Sequence, residues 1–281
     1  MKLIECPRDA MQGLHHFIPT ELKAAYINLL LQVGFDTIDF GSFVSPKAIP
    51  QLRDTAQVLE KLDLSTTQTK LLAIVANLRG VQEAIKHKTI TYLGFPFSIS
   101  ETFQQRNTNS SIKQSLNTVE EMLELCDQHD KIAVVYLSMG FGNPYGDEWN
   151  IEIVEKWADE LVSKGVKIIS VADTTGVSTP EKIASILPAL IRKFSSIEIG
   201  VHLHSTPDTR FEKIEAAYRA GCKRFDSALK GFGGCPMAAD DLTGNLATED
   251  LIYFLESSGE KLNIKLDKWH ESLSFAQKIF I

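Results

Sequence analysis

Residues 167–204 read KIISVADTTGVSTPEKIASILPALIRKFSSIEIGVHLH, and this stretch decides the fold. Positions 167–172 form a short apolar run, and Asp173-Thr174-Thr175-Gly176 breaks it. Thr179-Pro180-Glu181 follows: a side-chain cap, a proline whose missing N–H costs nothing in the first turn, and an acid suited to the helix N-terminus. The helical pattern runs on to Phe194, and a second apolar run covers 197–204. Strand, amphipathic helix, strand is the pattern of a parallel pair whose outer face a helix covers.

Working outward, the same unit returns on both sides. Apolar strand candidates lie at 3–6, 35–40, 70–75, 90–97, 131–138 and 223–228. Helical patterns separate them, among them one that Thr20 caps and Gly34 stops, and others at 52–62, 78–87, 112–129, 151–163, 211–220 and 248–257. Eight β-α units in 281 residues are what a TIM (β/α)8 barrel requires. No linker composition divides the chain, so 1–281 reads as one domain: a barrel over about 1–260 and a short helical C-terminal extension over about 261–281. That extension is expected to cover one end of the barrel or to contact a second subunit.

The composition narrows the partners. With 29 basic against 36 acidic residues, a net charge of −7 argues against nucleic acid or an anionic membrane surface. No apolar run is long enough to cross a bilayer, and Cys6, Cys126, Cys222 and Cys235 lack paired spacing, so the expectation is a cytoplasmic protein with reduced thiols.

Active sites of such barrels lie at the carboxyl ends of the strands. Arg8 and Asp9 follow the first strand, Asp39 ends the second, Asp173 the sixth, and His202 and His204 the seventh. The glycine-rich stretch GFGGCPMAADDLTGNLATED at 231–250, after the eighth strand, adds Cys235 and Asn245. Singly, each has a structural reading: Arg8–Asp9 as an ion pair, Asp39 or Asp173 as a helix cap, a histidine as a hydrogen-bonded rim residue. Together they point to one mouth. His202 and His204, at i and i+2, share a strand face and make a metal half-site. An acid, two histidines and an amide offer oxygen and nitrogen donors suited to Mg²⁺ or Mn²⁺. Arg8 is placed for a developing oxyanion, and Asp39, Asp173 or Cys235 for proton transfer. This equipment suits making or breaking a carbon–carbon bond beside a carbonyl.

These residues also carry a resemblance over nearly the whole chain. PRDAMQ, SFVSPK, ADTTGV, VHLH, GFGGCP and GNLATEDL resemble the motifs of the 3-hydroxy-3-methylglutaryl-CoA lyase branch of the DRE-TIM metallolyases. The resemblance implies that Asp9, His202, His204 and Asn245 ligate Mg²⁺ or Mn²⁺. It further implies that Arg8, Asp39, Asp173 and Cys235 are catalytic, and that Arg8, Gln12 and Ser42 contact an acyl-CoA substrate. Cys235 would donate a proton from a mobile loop, and the protein would be a homo-oligomer, a dimer or larger. Asp39 stands where the family has glutamate, and Ser205 where an aspartate commonly follows the second histidine. A condensing relative, an aldolase, or a catalytically silent metal-binding homologue is the alternative.

Overall fold

The computed structural model describes residues 1–234 and 243–280 of the chain. Eight parallel strands close into a barrel in chain order: β1 (Lys2–Glu5), β2 (Thr37–Ser42), β3 (Lys70–Ile74), β4 (Ile90–Ser98), β5 (Ile132–Ser138), β6 (Ile168–Asp173), β7 (Glu198–Leu203) and β8 (Arg224–Ser227). β1 pairs with β8 through four registered positions, Lys2 to Glu5 against Arg224 to Ser227, and this pairing closes the ring. The strands are buried almost throughout because helices cover one face and facing strands the other.

The helices are α1 (Pro7–Gln12), α2 (Thr20–Val33), α3 (Thr55–Glu60), α4 (Leu78–Ala84), α5 (Glu101–Thr108), α6 (Ile112–Gln128), α7 (Ile151–Ser163), α8 (Pro180–Lys193), α9 (Arg210–Arg219), α10 (Thr248–Ser257) and α11 (Leu266–Phe280). In α8 the Thr179 side chain accepts from the Lys182 N–H, Pro180 sits in the first turn, and Arg192 and Lys193 close the last turn. Ile183, Ile186, Leu187 and Leu190 form its buried stripe, spaced by three and four residues as a helix face demands. Gly34 ends α2 at φ 107°, and a Cβ there would meet the Asn263 carbonyl oxygen at 2.2 Å.

The TIM barrel read from the sequence is present, with three local differences. Thr20 does not cap α2: it is the first helical residue, and its hydroxyl donates to Asp54 Oδ2 at 2.7 Å, beside the Lys23–Asp54 ion pair. PRDAMQ, read only as charges following the first strand, forms α1, and the stretch after β4 forms the additional α5, capped by Ser100. The C-terminal helix α11 runs along α2, where Phe275 stacks on Tyr26 with ring centroids 6.3 Å apart. A second buried cluster of Leu72, Ile74, Tyr92, Val134, Tyr136 and Ile168, from β3 to β6, is separate from the larger core shared with the helices. Cys6, Cys126 and Cys222 are buried free thiols.

Candidate active site

The site begins where β1 turns directly into α1. Pro7 opens that helix without sacrificing a donor, and the helical spacing brings Arg8, Asp9 and Gln12 together. Arg8 Nη1 donates to Asp9 Oδ1 at 2.8 Å and to Gln12 Oε1 at 3.1 Å, while Gln12 Nε2 donates to Asp9 Oδ1 at 2.6 Å. On its other side Arg8 grips Asp39 of β2, Nε to Oδ2 at 2.9 Å and Nη2 to the same oxygen.

Across the mouth, His202 of β7 and His204 just beyond it bring their Nε2 atoms within 3.3 Å of each other. One ligand atom each from Asp9, His202 and His204 lies within 4.8 Å of the others, all buried. Asn245 completes the group. It reaches the mouth through an antiparallel bridge with His204, and its Nδ2 donates to Asp9 Oδ2 at 2.7 Å and to the Phe232 carbonyl at 2.8 Å. Its Oδ1 is buried and finds no protein partner among the described residues. Two glycines make this approach possible. A Cβ on Gly233 would sit 2.6 Å from the Asp9 carbonyl oxygen and 2.8 Å from Asn245 Nδ2, and one on Gly244 would sit 2.2 Å from the Gly231 carbonyl oxygen.

Electrostatics prepare the same donors. Burial would raise the Asp9 carboxyl, but Arg8, the two histidines and the Asn245 bond bring it down to about 2. Burial and the neighbouring His202 lower His204 to about 4, so its imidazole is neutral at pH 7. His202 moves the other way: burial opposes its charge, yet the Asp226 hydrogen bond and Asp9 raise it. Burial pushes Asp39 up to about 6 against the pull of Arg8. Asp39 in turn raises Arg8 despite burial, fixing the guanidinium charge.

A cavity of about 390 Å³ opens beside these groups. Arg8, Asp9, Gln12, His202 and His204 form its polar end, with Ser42 on its wall and Val44, Ile49, Ile74 and Phe103 as apolar lining. Asp39 and Asp173 do not line it. Asp39 lies beneath Arg8. Asp173 is turned into the structure: its carboxylate accepts from the Ser178 N–H at 3.1 Å, from the Ser178 hydroxyl, and from Lys213 Nζ at 3.0 Å. Cys235 lies outside the described residues.

Two residues that sequence reasoning did not single out matter here. Asp226, on β8 and 1% exposed, places Oδ2 3.3 Å from His202 Nδ1. With that carboxylate as acceptor, Nδ1 carries a proton, which leaves Nε2 to face His204. Its only sequence signal was an acid inside an otherwise buried strand. Lys213, in α9, crosses to Asp173 and to the carbonyls of Gly176 and His204 at 3.1 and 2.8 Å.

Comparison with known proteins supplies the context. The HMGL-like family model matches residues 3–275. A hydroxymethylglutaryl-CoA lyase of Bacillus subtilis, YngG, is 35% identical, covering 93% of this chain and 87% of its own. The cytoplasmic 3-hydroxy-3-methylglutaryl-CoA lyase of Rattus norvegicus is 33% identical over 99% of this chain and 80% of its own. Among solved structures, an HMG-CoA lyase from Acinetobacter baumannii, in complex with coenzyme A and 3-methylmalate, superposes with a TM-score of 0.91 at 29% identity, covering 99% of this chain and 90% of that one.

Proposed function

The chain belongs to the HMGL-like family, and from that premise we propose that it is a carbon–carbon lyase that cleaves 3-hydroxy-3-methylglutaryl-CoA to acetyl-CoA and acetoacetate. The observation that carries the reading is the convergence of Asp9, His202 and His204, beside Arg8, on a cavity with an apolar wall, with Asn245 bonded to Asp9 and its buried Oδ1 unpartnered among the described residues. Coenzyme A in the A. baumannii lyase supports the thioester half of the substrate.

The four donors fit a divalent ion: two oxygens and two imidazole nitrogens, no thiolate, and an amide oxygen with no protein partner among the described residues. Mg²⁺ or Mn²⁺ held there would polarise the substrate's hydroxyl and carboxylate oxygens. The chain's own residues do the rest. Arg8 commits four of its five N–H donors to Asp9, Gln12 and Asp39, so its plane is fixed and one Nη2 hydrogen remains for an oxyanion. That charge stabilises the enolate released when a base takes the hydroxyl proton, the hydroxyl carbon becomes the ketone of acetoacetate and the C2–C3 electron pair passes to the thioester. Cys235 donates the proton that turns the enolate into acetyl-CoA. Asp39 acts through Arg8 as a positioning residue, and Asp173 through Ser178 and Lys213 on the loop after β6. Gln12 and Ser42 contact the acyl portion. We further take the enzyme to work in the cytoplasm as a homo-oligomer. No helix among the described residues is long and apolar enough to cross a membrane.

Purified protein incubated with 3-hydroxy-3-methylglutaryl-CoA and Mg²⁺ or Mn²⁺ should release acetoacetate, and no product with either ion would sink the assignment. Cys235→Ala should lower turnover at least about a hundredfold while sparing Mn²⁺ affinity. Unchanged turnover would remove Cys235 from the mechanism.

A further inference from the structure

The C-terminal helix reaches the metal site through one aromatic contact. α11 starts beside the end of α2, where the Lys265 N–H donates to the Val33 carbonyl at 2.8 Å, and runs antiparallel to α2 toward the mouth. At its far end Phe280 meets two rings. Tyr26 of α2, fully buried, approaches edge-on with centroids 6.0 Å apart, and Phe232 stacks on it at 4.5 Å and 22°. Phe232 is the one residue with a side chain in the stretch 231–234, and the three glycines around it have φ of 67°, 99° and 130°. Such a stretch has wide backbone freedom unless its single side chain is anchored. The Phe232 carbonyl is also the acceptor that, with Asp9 Oδ2, takes both bonds from Asn245 Nδ2 and so fixes the amide, whose buried Oδ1 has no protein partner among the described residues.

We propose that Phe280 is a positioning residue of the active site. Its ring fixes Phe232, the Phe232 carbonyl fixes the Asn245 amide, and the amide presents Oδ1 as the fourth donor. α11 is then a strut between α2 and the mouth as well as a cover for α2. This rests on the reading of Asn245 as a metal ligand.

The test measures Mn²⁺ binding by electron paramagnetic resonance or calorimetry, alongside melting temperature, in Phe280→Ala, Phe280→Tyr and Phe275→Ala. Phe275 packs on Tyr26 from the same helix, and Phe232 is not among its ring partners. Phe280→Ala should raise the Mn²⁺ Kd about three- to tenfold, at or below the lower limit of the roughly 10–100-fold range for direct outer-sphere partners of a metal ligand, because Phe280 acts one contact further out. Phe280→Tyr should restore it, and Phe275→Ala should lower the melting temperature with Kd unchanged. Equal Kd in Phe280→Ala and the wild type overturns the proposal, as does an equal rise in Phe275→Ala. If Phe280→Ala does not fold, Phe232→Leu removes the stack from the loop side with α11 untouched. It should show the same weakening, and an unchanged Kd there overturns the proposal. Absence of Mn²⁺ binding by the wild type overturns the metal reading together with this one; wild-type binding with an unchanged Phe280→Ala overturns this one alone.

Discussion

Asp9 and Asp173 both stand at the carboxyl end of the barrel, both are buried, and both pair with a cation, yet their surroundings use them differently. Around Asp9 the polar atoms converge and two are left short of partners: His204 Nδ1 and Asn245 Oδ1 are buried with no hydrogen bond among the described residues. Around Asp173 the hydrogen bonds are filled from Ser178 and Lys213, and Lys213 binds two further carbonyls. A buried polar group without a partner costs free energy, so such groups persist where a ligand completes them. On the proposed reading the first region receives an ion, and the second holds the loop after β6 in place.

The largest expected effect tests the receiving region. His202→Ala should weaken Mn²⁺ by more than about a hundredfold, beyond what outer-sphere partners contribute, and abolish acetoacetate release. An unchanged calorimetric titration would break the contrast from that side. Lys213→Met tests the holding region. It strands a buried carboxylate and should cost about 3–5 kcal/mol of unfolding free energy in urea titration. A loss below about 1 kcal/mol with turnover abolished would move Asp173 to the chemical side of the comparison. Asp226→Asn is smaller: it loosens the His202 ring and should weaken Mn²⁺ about tenfold, with little change in melting temperature.

Glu5 sharpens the comparison with a third outcome. Fully buried at the end of β1, it accepts from the Leu229 N–H at 2.9 Å and the Thr248 hydroxyl at 2.6 Å, with no cation paired to it among the described residues. Burial raises its carboxyl from 4.5 to about 8, despite those two bonds. The folded state therefore holds a proton that the unfolded chain releases. This contribution to stability is full below pH 4.5 and is lost as pH rises through about 8. The melting temperature should fall between pH 5 and pH 9, and Glu5→Gln should flatten that fall. A wild-type profile already flat there would show Glu5 to be ionised.

The fold was legible because each unit repeats the same signal: a short buried run, a cap, and an apolar stripe such as Ile183, Ile186, Leu187 and Leu190 in α8. α5 escaped because ETFQQRNT has no apolar period and buries only Phe103 and Gln104; Ser100 was its one signal. α1 escaped because six residues are too few to show a period. Within the site, the sequence placed the acids and histidines at one end of the barrel but not their partners. Asp9 and Asp173 look alike in a linear reading. What separates them is Lys213, 40 residues beyond Asp173, and Asn245, 236 beyond Asp9. Asp226 stayed hidden because strand alternation gives a face and not a neighbour.

The span between Asp9 and Asn245 also has a kinetic consequence. The proposed donors come from α1 directly after the first strand, from the seventh strand and the residue just beyond it, and from the segment after the eighth, and the His204–Asn245 bridge together with the β1–β8 ladder joins them. Contacts of such long sequence separation form only after the intervening loops have closed. Mn²⁺ capture during refolding should therefore lag behind the recovery of helical circular dichroism, and the lag measures the time taken to seal the barrel seam.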